Sequence, residues 1–328
     1  MFDILEKLCK IPVASGMESG ILSYIEDNFA IDLEVSFDGM GNLTVLKRCG
    51  KENAEKIMLC VNVDQGGFIV NYIEENGYLR VTSLGNPSTV SCAYGELISE
   101  SGVCGFIVPE KGADVKEGEA EKLYVDIGAK SKEDAQNLVR LGDVFALVPA
   151  VRTLTDGRKG GQGVARRLPV AIALSVLKNI TSEKNDIYFS FNVQGDLQNR
   201  GAKTVAFDIT PDRCIVLDIC ESFDVAGAKK RGEAVLGEGA VILAKSADYC
   251  MTPQLKEEIV GVAEKSEIAH KVCVYSDMRT PSSAVCATSV GTECAEICIP
   301  ARNIGTGAEI IDTVDAENVY SLICGLLA

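Results

Sequence analysis

The sequence predicts an α/β protein: a mostly parallel sheet covered by helices, interrupted by a small inserted β-barrel or sandwich domain. Three observations predict it. Strand-like and helix-like stretches alternate toward both ends of the chain, the pattern of parallel sheets with crossover helices. Between residues 67 and 148 the pattern changes to short apolar runs punctuated by Gly, Pro and Asn, as in small all-β units. The 328 residues are 47% hydrophobic and 24% charged, enough for two folded cores and incompatible with disorder. The predicted division is therefore an α/β domain of residues 1–66 and 161–328, with a β-rich insertion at 67–160.

Taken in order, residues 18–29 carry Ile21, Leu22 and Ile25 at helical spacing, and DGMGN at 38–42 reads as a turn. Residues 57–63 form a short apolar run suited to a strand buried on both faces. Strands follow at 68–73, 78–82, 103–108, 123–127 and 144–148. Ser131 and Asp134 make a capping-box-like spacing that opens a helix over 132–141. A glycine-rich basic loop at 156–163 leads into a helix over 168–180, apolar nearly all round, with Pro169 in its first turn. Ile187, Phe189, Phe191 and Val193 alternate as a strand. Further strands are predicted at 214–219, 271–275 and 295–299, and helices at 253–266 and 315–327.

Charge and rare residues narrow the function. A net charge of −15 argues against nucleic acid and anionic membranes, whose binding rests on clustered Lys and Arg. The longest apolar stretch, 168–177, is too short to span a bilayer. Thirteen cysteines, an odd number with no CxxC pair, make neither a disulfide framework nor a zinc-finger pattern. The opening MFDILEKLCK lacks a basic segment followed by a long apolar run, so the reading is a cytoplasmic protein. The single histidine, His270, reads as a surface or helix-end residue, and no site needing two imidazoles can be built from one chain. GEGAV at 237–241 reads as a turn rather than half a dinucleotide fingerprint, and Cys294 and Cys298 as buried structural thiols.

Six segments, in order, carry a family resemblance: CKIPVASGMES, DGMGNL, VNVDQGGFIV, LYVDIGAKSKEDAQ, VQGDLQNRGAKTVAF and IPARNIGTGAEIID. Together the chain resembles the glutamyl, or deblocking, aminopeptidases. These are dinuclear metallopeptidases that form tetrahedral dodecamers and are also labelled cellulase M. The resemblance implies a zinc-aminopeptidase-like fold with an inserted dimerisation-type domain, and a homo-oligomer from dimer to dodecamer.

The functional positions carry over one by one. The first-strand metal histidine of the family falls on Asn62, and the aspartate that steadies it is kept as Asp64, followed by Gln65. The metal-bridging aspartate falls on Ala165, with Arg166 and Arg167 next. The general-base glutamate falls on Gly195 and the adjoining ligand glutamate on Asp196. The second-metal aspartate matches Asp218, the C-terminal metal histidine falls on Gly305, and the family's GGTDA stretch is replaced by DMRTPSSA at 277–284. A dinuclear hydrolase needs a bridging anion to hold two cations about 3.5–4 Å apart, and a carboxylate within reach of the attacking water. With only Asp196 and Asp218 left as ligands, the expectation is no resident metal and no peptidase activity, with a binding or assembly role instead.

Two rivals stand beside it. One is a divergent metal-dependent hydrolase using zinc or cobalt on Asp64, Asp196 and Asp218; Cys60, which shares a strand face with Asn62 and Asp64, is a further candidate. The other is an anion-binding protein using Arg166 and Arg167 within the basic group Arg152, Arg158, Lys159, Arg166 and Arg167. The ligand expected is a peptide or a small anion. Arg166 or Arg167 is expected within ion-pair reach of Asp64, Asp196 or Asp218, guanidinium charge replacing metal charge.

Overall fold

Four strands buried on both faces form the centre of the molecule in a computed structural model that describes residues 1–228 and 233–328. They lie side by side and parallel in the order Asp186–Asn192, Lys56–Asn62, Arg213–Glu221 and Glu293–Arg302. Their near-continuous apolar runs are what a doubly covered parallel strand requires.

Outside this centre the pairings of the eleven-stranded sheet are antiparallel, except that Ala240–Lys245 and His270–Val274 run parallel. Leu43–Lys47 and Glu34–Phe37 extend one side. Ile310–Asp312, Arg158–Gly160 and Arg152–Thr153 extend the other. Ala240–Lys245 pairs antiparallel to Glu293–Arg302 and carries His270–Val274 on its far side. The sheet is thus mixed, not mostly parallel. Parallel neighbours need a crossover connection, whereas Glu34–Phe37 with Leu43–Lys47, Arg152–Thr153 with Arg158–Gly160, and Glu293–Arg302 with Ile310–Asp312 are joined by short connections that return the chain antiparallel.

Helices cover both faces. One layer holds Phe2–Leu8, Ser19–Phe29, Val164–Asn179, Pro253–Lys265 and Thr313–Leu327 over the large core of Leu59, Leu174, Phe189 and Ile297. The other holds Arg200–Ile209 and Ser282–Cys286 over Met58, Cys214 and Val216. The buried helix begins at Val164, four residues before the predicted start, so Pro169 sits in its second turn. Its ring leaves the carbonyl of Ala165 without an i+4 donor. His270 opens an edge strand, its Nδ1 2.9 Å from the carbonyl oxygen of Ile268.

The insertion is a closed six-stranded barrel of Gly67–Ile73, Leu79–Leu84, Leu123–Asp126, Cys104–Pro109, Glu96–Ser99 and Val144–Leu147 around Phe68, Leu97, Val125 and Phe145. Closure pairs every strand on both sides and leaves the barrel no unpaired edge. The barrel strands end at Leu147. Arg152–Thr153 and Arg158–Gly160 join the large sheet instead, which puts the predicted boundary at 160 about a dozen residues too late. The helix predicted over 132–141 is only Lys132–Gln136, started by the Ser131 hydroxyl accepting from the Asp134 N–H at 3.2 Å. Gly237 and Gly239 lie in the turn before Ala240–Lys245, and their N–H groups donate to buried Asp315. No helix among the described residues is long and apolar enough to cross a membrane.

Candidate functional site

The carboxyl ends of the central strands open into a cavity of about 560 Å³, the place where open α/β sheets bind ligands. Its floor brings together Asn62, Asp64, Arg166, Gly195, Asp196 and Asp218, drawn from segments up to 156 residues apart (Asn62 to Asp218).

Asp64 follows the Lys56–Asn62 strand and is buried. Its carboxylate accepts from the Ser15 hydroxyl (2.5 Å), the Gly195 N–H (2.7 Å) and the Asp196 N–H (3.1 Å). Burial holds its pKa above the ordinary value despite these bonds, which favour the charged form. Both oxygens are committed, and what they do is fix the loop that follows strand Asp186–Asn192.

Asn62 lies across that loop. Its Nδ2 donates to Asn199 Oδ1 at 2.9 Å, and Asn199 in turn donates to the carbonyl of Thr280 at 3.1 Å. The Oδ1 of Asn62 is buried without a partner. A Cβ at position 195 would lie 2.3 Å from both Cγ and Nδ2 of Asn62 and 2.7 Å from its Cβ. Asn62 thus fills the space a side chain at 195 would need. Asp196 is held differently: one oxygen accepts the Asn86 N–H at 2.8 Å, tying the barrel loop to the floor of the cavity.

Arg166, in the first turn of the buried helix, reaches between two carboxylates. Its Nη1 is 3.5 Å from Asp218 Oδ1 and its Nη2 3.6 Å from Asp196 Oδ1, with 33% of the side chain facing the cavity. Burial works against its charge, but Asp218, Asp196, Glu309 and Asp64 outweigh it and raise the pKa. Asp218, 8% exposed, is raised by burial even though Arg166 favours its charged form.

Arg167 does not share this role. One helical step turns it away from the cavity, where Nε donates to the Leu8 carbonyl (3.1 Å), Nη1 to Gln65 Oε1 (2.8 Å) and the Gly163 carbonyl (3.2 Å), and Nη2 to the Ile11 carbonyl (2.9 Å). It is a buried tie between the helix and the N-terminal segment, not an anion ligand. The other basic residues are also dispersed: Arg158 pairs with Asp312 at 3.1 Å, Lys159 with Glu6 at 3.0 Å, and Arg152 is exposed at the sheet edge. Cys60 lies in the apolar layer with Cys214 and Cys294, accepting from Asn192 Nδ2 at 3.1 Å, and does not line the cavity.

Glu309 escaped the sequence reading. Fully buried, it accepts from the Ala165 N–H (2.8 Å) and the Gly305 N–H (2.9 Å), bracing the two backbone positions at which the resemblance places a bridging aspartate and a histidine. The only sequence signal was an acid just before the apolar pair at 310–311, in the segment IPARNIGTGAEIID. Buried Glu296, behind the cavity, accepts from the hydroxyls of Thr280 and Ser246 and was also not anticipated.

Zinc or cobalt is the group implied here. Asp196 and Asp218 are separated by a guanidinium, both oxygens of Asp64 are spent on local donors, and Asn62 offers one amide oxygen. Among the described residues no group of three or more His, Cys, Asp or Glu side chains is arranged to hold a metal ion. This donor set does not fit a dinuclear centre.

The sequence profile of the M42 glutamyl aminopeptidases matches residues 41–322. The chain belongs to that family. A lysyl aminopeptidase of Pyrococcus furiosus is 26% identical over 99% of this chain and 96% of its own length. Aminopeptidase APDkam598 from the archaeon Desulfurococcus kamchatkensis superimposes with a TM-score of 0.92 at 26% identity, covering 99% of this chain and 93% of that one. The TET1 peptidase of Pyrococcus horikoshii shares the fold at a TM-score of 0.87 and 24% identity, covering 99% of this chain and 98% of its own. The M42 fold, with its α/β sheet and inserted barrel, is therefore the frame in which the cavity residues act.

Proposed function

We propose that this M42-family chain is a non-hydrolysing relative that keeps the aminopeptidase cleft for binding a small peptide or anionic ligand and works as a homo-oligomer. The observation that carries it is the packing of Asn62 over Gly195. A general base must sit within hydrogen-bond reach of the water it activates, and the place for one is filled by an amide that cannot accept a proton in that role. The guanidinium between Asp196 and Asp218 supports the same reading, because it sets a fixed charge where a metallopeptidase needs exchangeable cations.

The exposed third of Arg166 offers N–H donors to a ligand carboxylate at the cavity floor. Assembly is supported by the P. horikoshii TET1 peptidase, which can assemble into a tetrahedron or a large octahedral shell. The barrel also presents Tyr94 (75% exposed) and Phe106 (55% exposed) on its outer surface. Thirteen unpaired cysteines fit a reducing, cytoplasmic setting.

The test is aminoacyl-anilide hydrolysis with metal analysis after incubation with zinc or cobalt. No turnover is expected. Two stoichiometric metals per chain together with turnover would overturn the reading in favour of a divergent hydrolase on Asp64, Asp196 and Asp218. Light scattering should return a particle larger than the 35.0 kDa monomer.

A further inference from the structure

Charge balance around Arg166 is the least ordinary feature of the cavity. Asp64, Asp196 and Asp218 converge on its floor, and Asp218 is almost wholly withdrawn from water. A buried carboxylate without a counter-charge is costly, and removing one partner of such a pair leaves that cost exposed. Asp64 is compensated by three donors of its own. Among the described residues Asp218 has only the N–H of Ile219, at 2.8 Å, besides Arg166. Asp196 has, among the described residues, only the N–H of Asn86 besides Arg166. The other basic side chain that the described residues place on the cavity wall, Arg279, is spent on Asp248 at 2.6 Å and is exposed. Among the described residues Arg166 is therefore the cation on which both inner carboxylates depend.

The separations of 3.5 and 3.6 Å are those of ion pairs, longer than good directional hydrogen bonds. An attraction of this kind depends on charge and position more than on the identity of the cation. We propose that Arg166 is a built-in substitute cation: it makes the folded cleft independent of divalent metal, and its removal opens a site for one hard divalent cation on Asp196 and Asp218. The inference rests on the non-hydrolysing reading but is tested by binding and stability, not by turnover. Hard divalent ions with oxygen ligands and retained waters suit a two-carboxylate site of this kind.

The experiment compares the wild-type chain, Arg166→Ala and Arg166→Lys, freed of metal with chelator, by thermal unfolding and titration calorimetry with Mn²⁺. The wild-type melting temperature should not respond to Mn²⁺, and Arg166→Lys, which keeps a point charge, should behave alike. Arg166→Ala should melt lower and recover with Mn²⁺ in a saturable rise of about 2 °C or more at tenfold excess over its dissociation constant. Asp218→Asn in the Arg166→Ala background should abolish the rise. If Arg166→Ala is recovered unfolded, refolding it with and without Mn²⁺ replaces the melt, and recovery only with the cation is expected. A folded Arg166→Ala as indifferent to Mn²⁺ as wild type, failure of Mn²⁺ to aid refolding, or wild type binding Mn²⁺ as tightly as the variant would each overturn the proposal. Peptidase turnover by the wild-type chain would instead strike the functional reading, and is measured separately.

Discussion

Adding one methyl group at position 195 probes the geometry on which the functional reading depends. In Gly195→Ala the new Cβ would sit 2.3 Å from Cγ and Nδ2 of Asn62 and 2.7 Å from its Cβ, well inside van der Waals contact. The Cβ of Asn62 is anchored to the central strand Lys56–Asn62, so rotating the amide away does not clear the clash. Forced overpacking of a rigid site costs about 1–3 kcal/mol. Displacing Asn62 also breaks its bond to Asn199, a further loss of about 1 kcal/mol. Gly195→Ala should therefore lose about 2–4 kcal/mol, read as a lower urea midpoint at unchanged slope. Asn62→Ala removes part of the obstacle, so the double variant should be more stable than the sum of the single changes by about 1 kcal/mol or more. A Gly195→Ala protein within about 0.5 kcal/mol of wild type, additive with Asn62→Ala, would refute the packing argument. The same argument says that Gly195→Glu alone cannot install a base.

Three further outcomes are expected. Arg167→Met strands the Ile11 carbonyl and Gln65 Oε1, while the Leu8 and Gly163 carbonyls keep the backbone N–H groups of Ile11 and residue 167, so it should cost about 2 kcal/mol or more in chemical unfolding. Burial raises the Asp315 pKa to about 7 from 3.8, so between those values the folded chain holds a proton the unfolded chain has released. Its contribution to stability then falls as pH rises from about 4 to about 7 and is level above, by up to about 3–4 kcal/mol, and Asp315→Asn should remove that slope in pH-dependent melts. Iodoacetamide should label exposed Cys104 and Cys250 first, while Cys9 and Cys92, whose thiols burial pushes up to about 11 and about 12, should react only on unfolding, as read by mass spectrometry.

What lay open in the chain itself was whatever rests on local pattern. Apolar runs such as 57–63 mark strands buried on both faces, the spacing of Ile21, Leu22 and Ile25 marks a helix, and the shift to short runs after residue 67 marks the barrel. Ordered segments such as DGMGNL and IPARNIGTGAEIID pointed to the family whose profile matches residues 41–322. The single histidine was legible at a glance, and with it the poverty of the donor set.

Tertiary structure alone decided the rest. Arg166 and Arg167 are neighbours of the same chemistry. A rotation of about 100° per helical residue sends one into the cavity and the other into the N-terminal segment, and no linear pattern says which. The contact between Asn62 and Gly195 joins residues 133 apart in the chain, so the meaning of a glycine there depends on a side chain from another strand. Closure of the barrel, the antiparallel flanks of the sheet and the bracing by Glu309 are likewise pairings between distant segments. Propensity acts over a few residues, whereas burial, charge compensation and steric exclusion act between whatever the fold brings together, and it is these that set the character of this site.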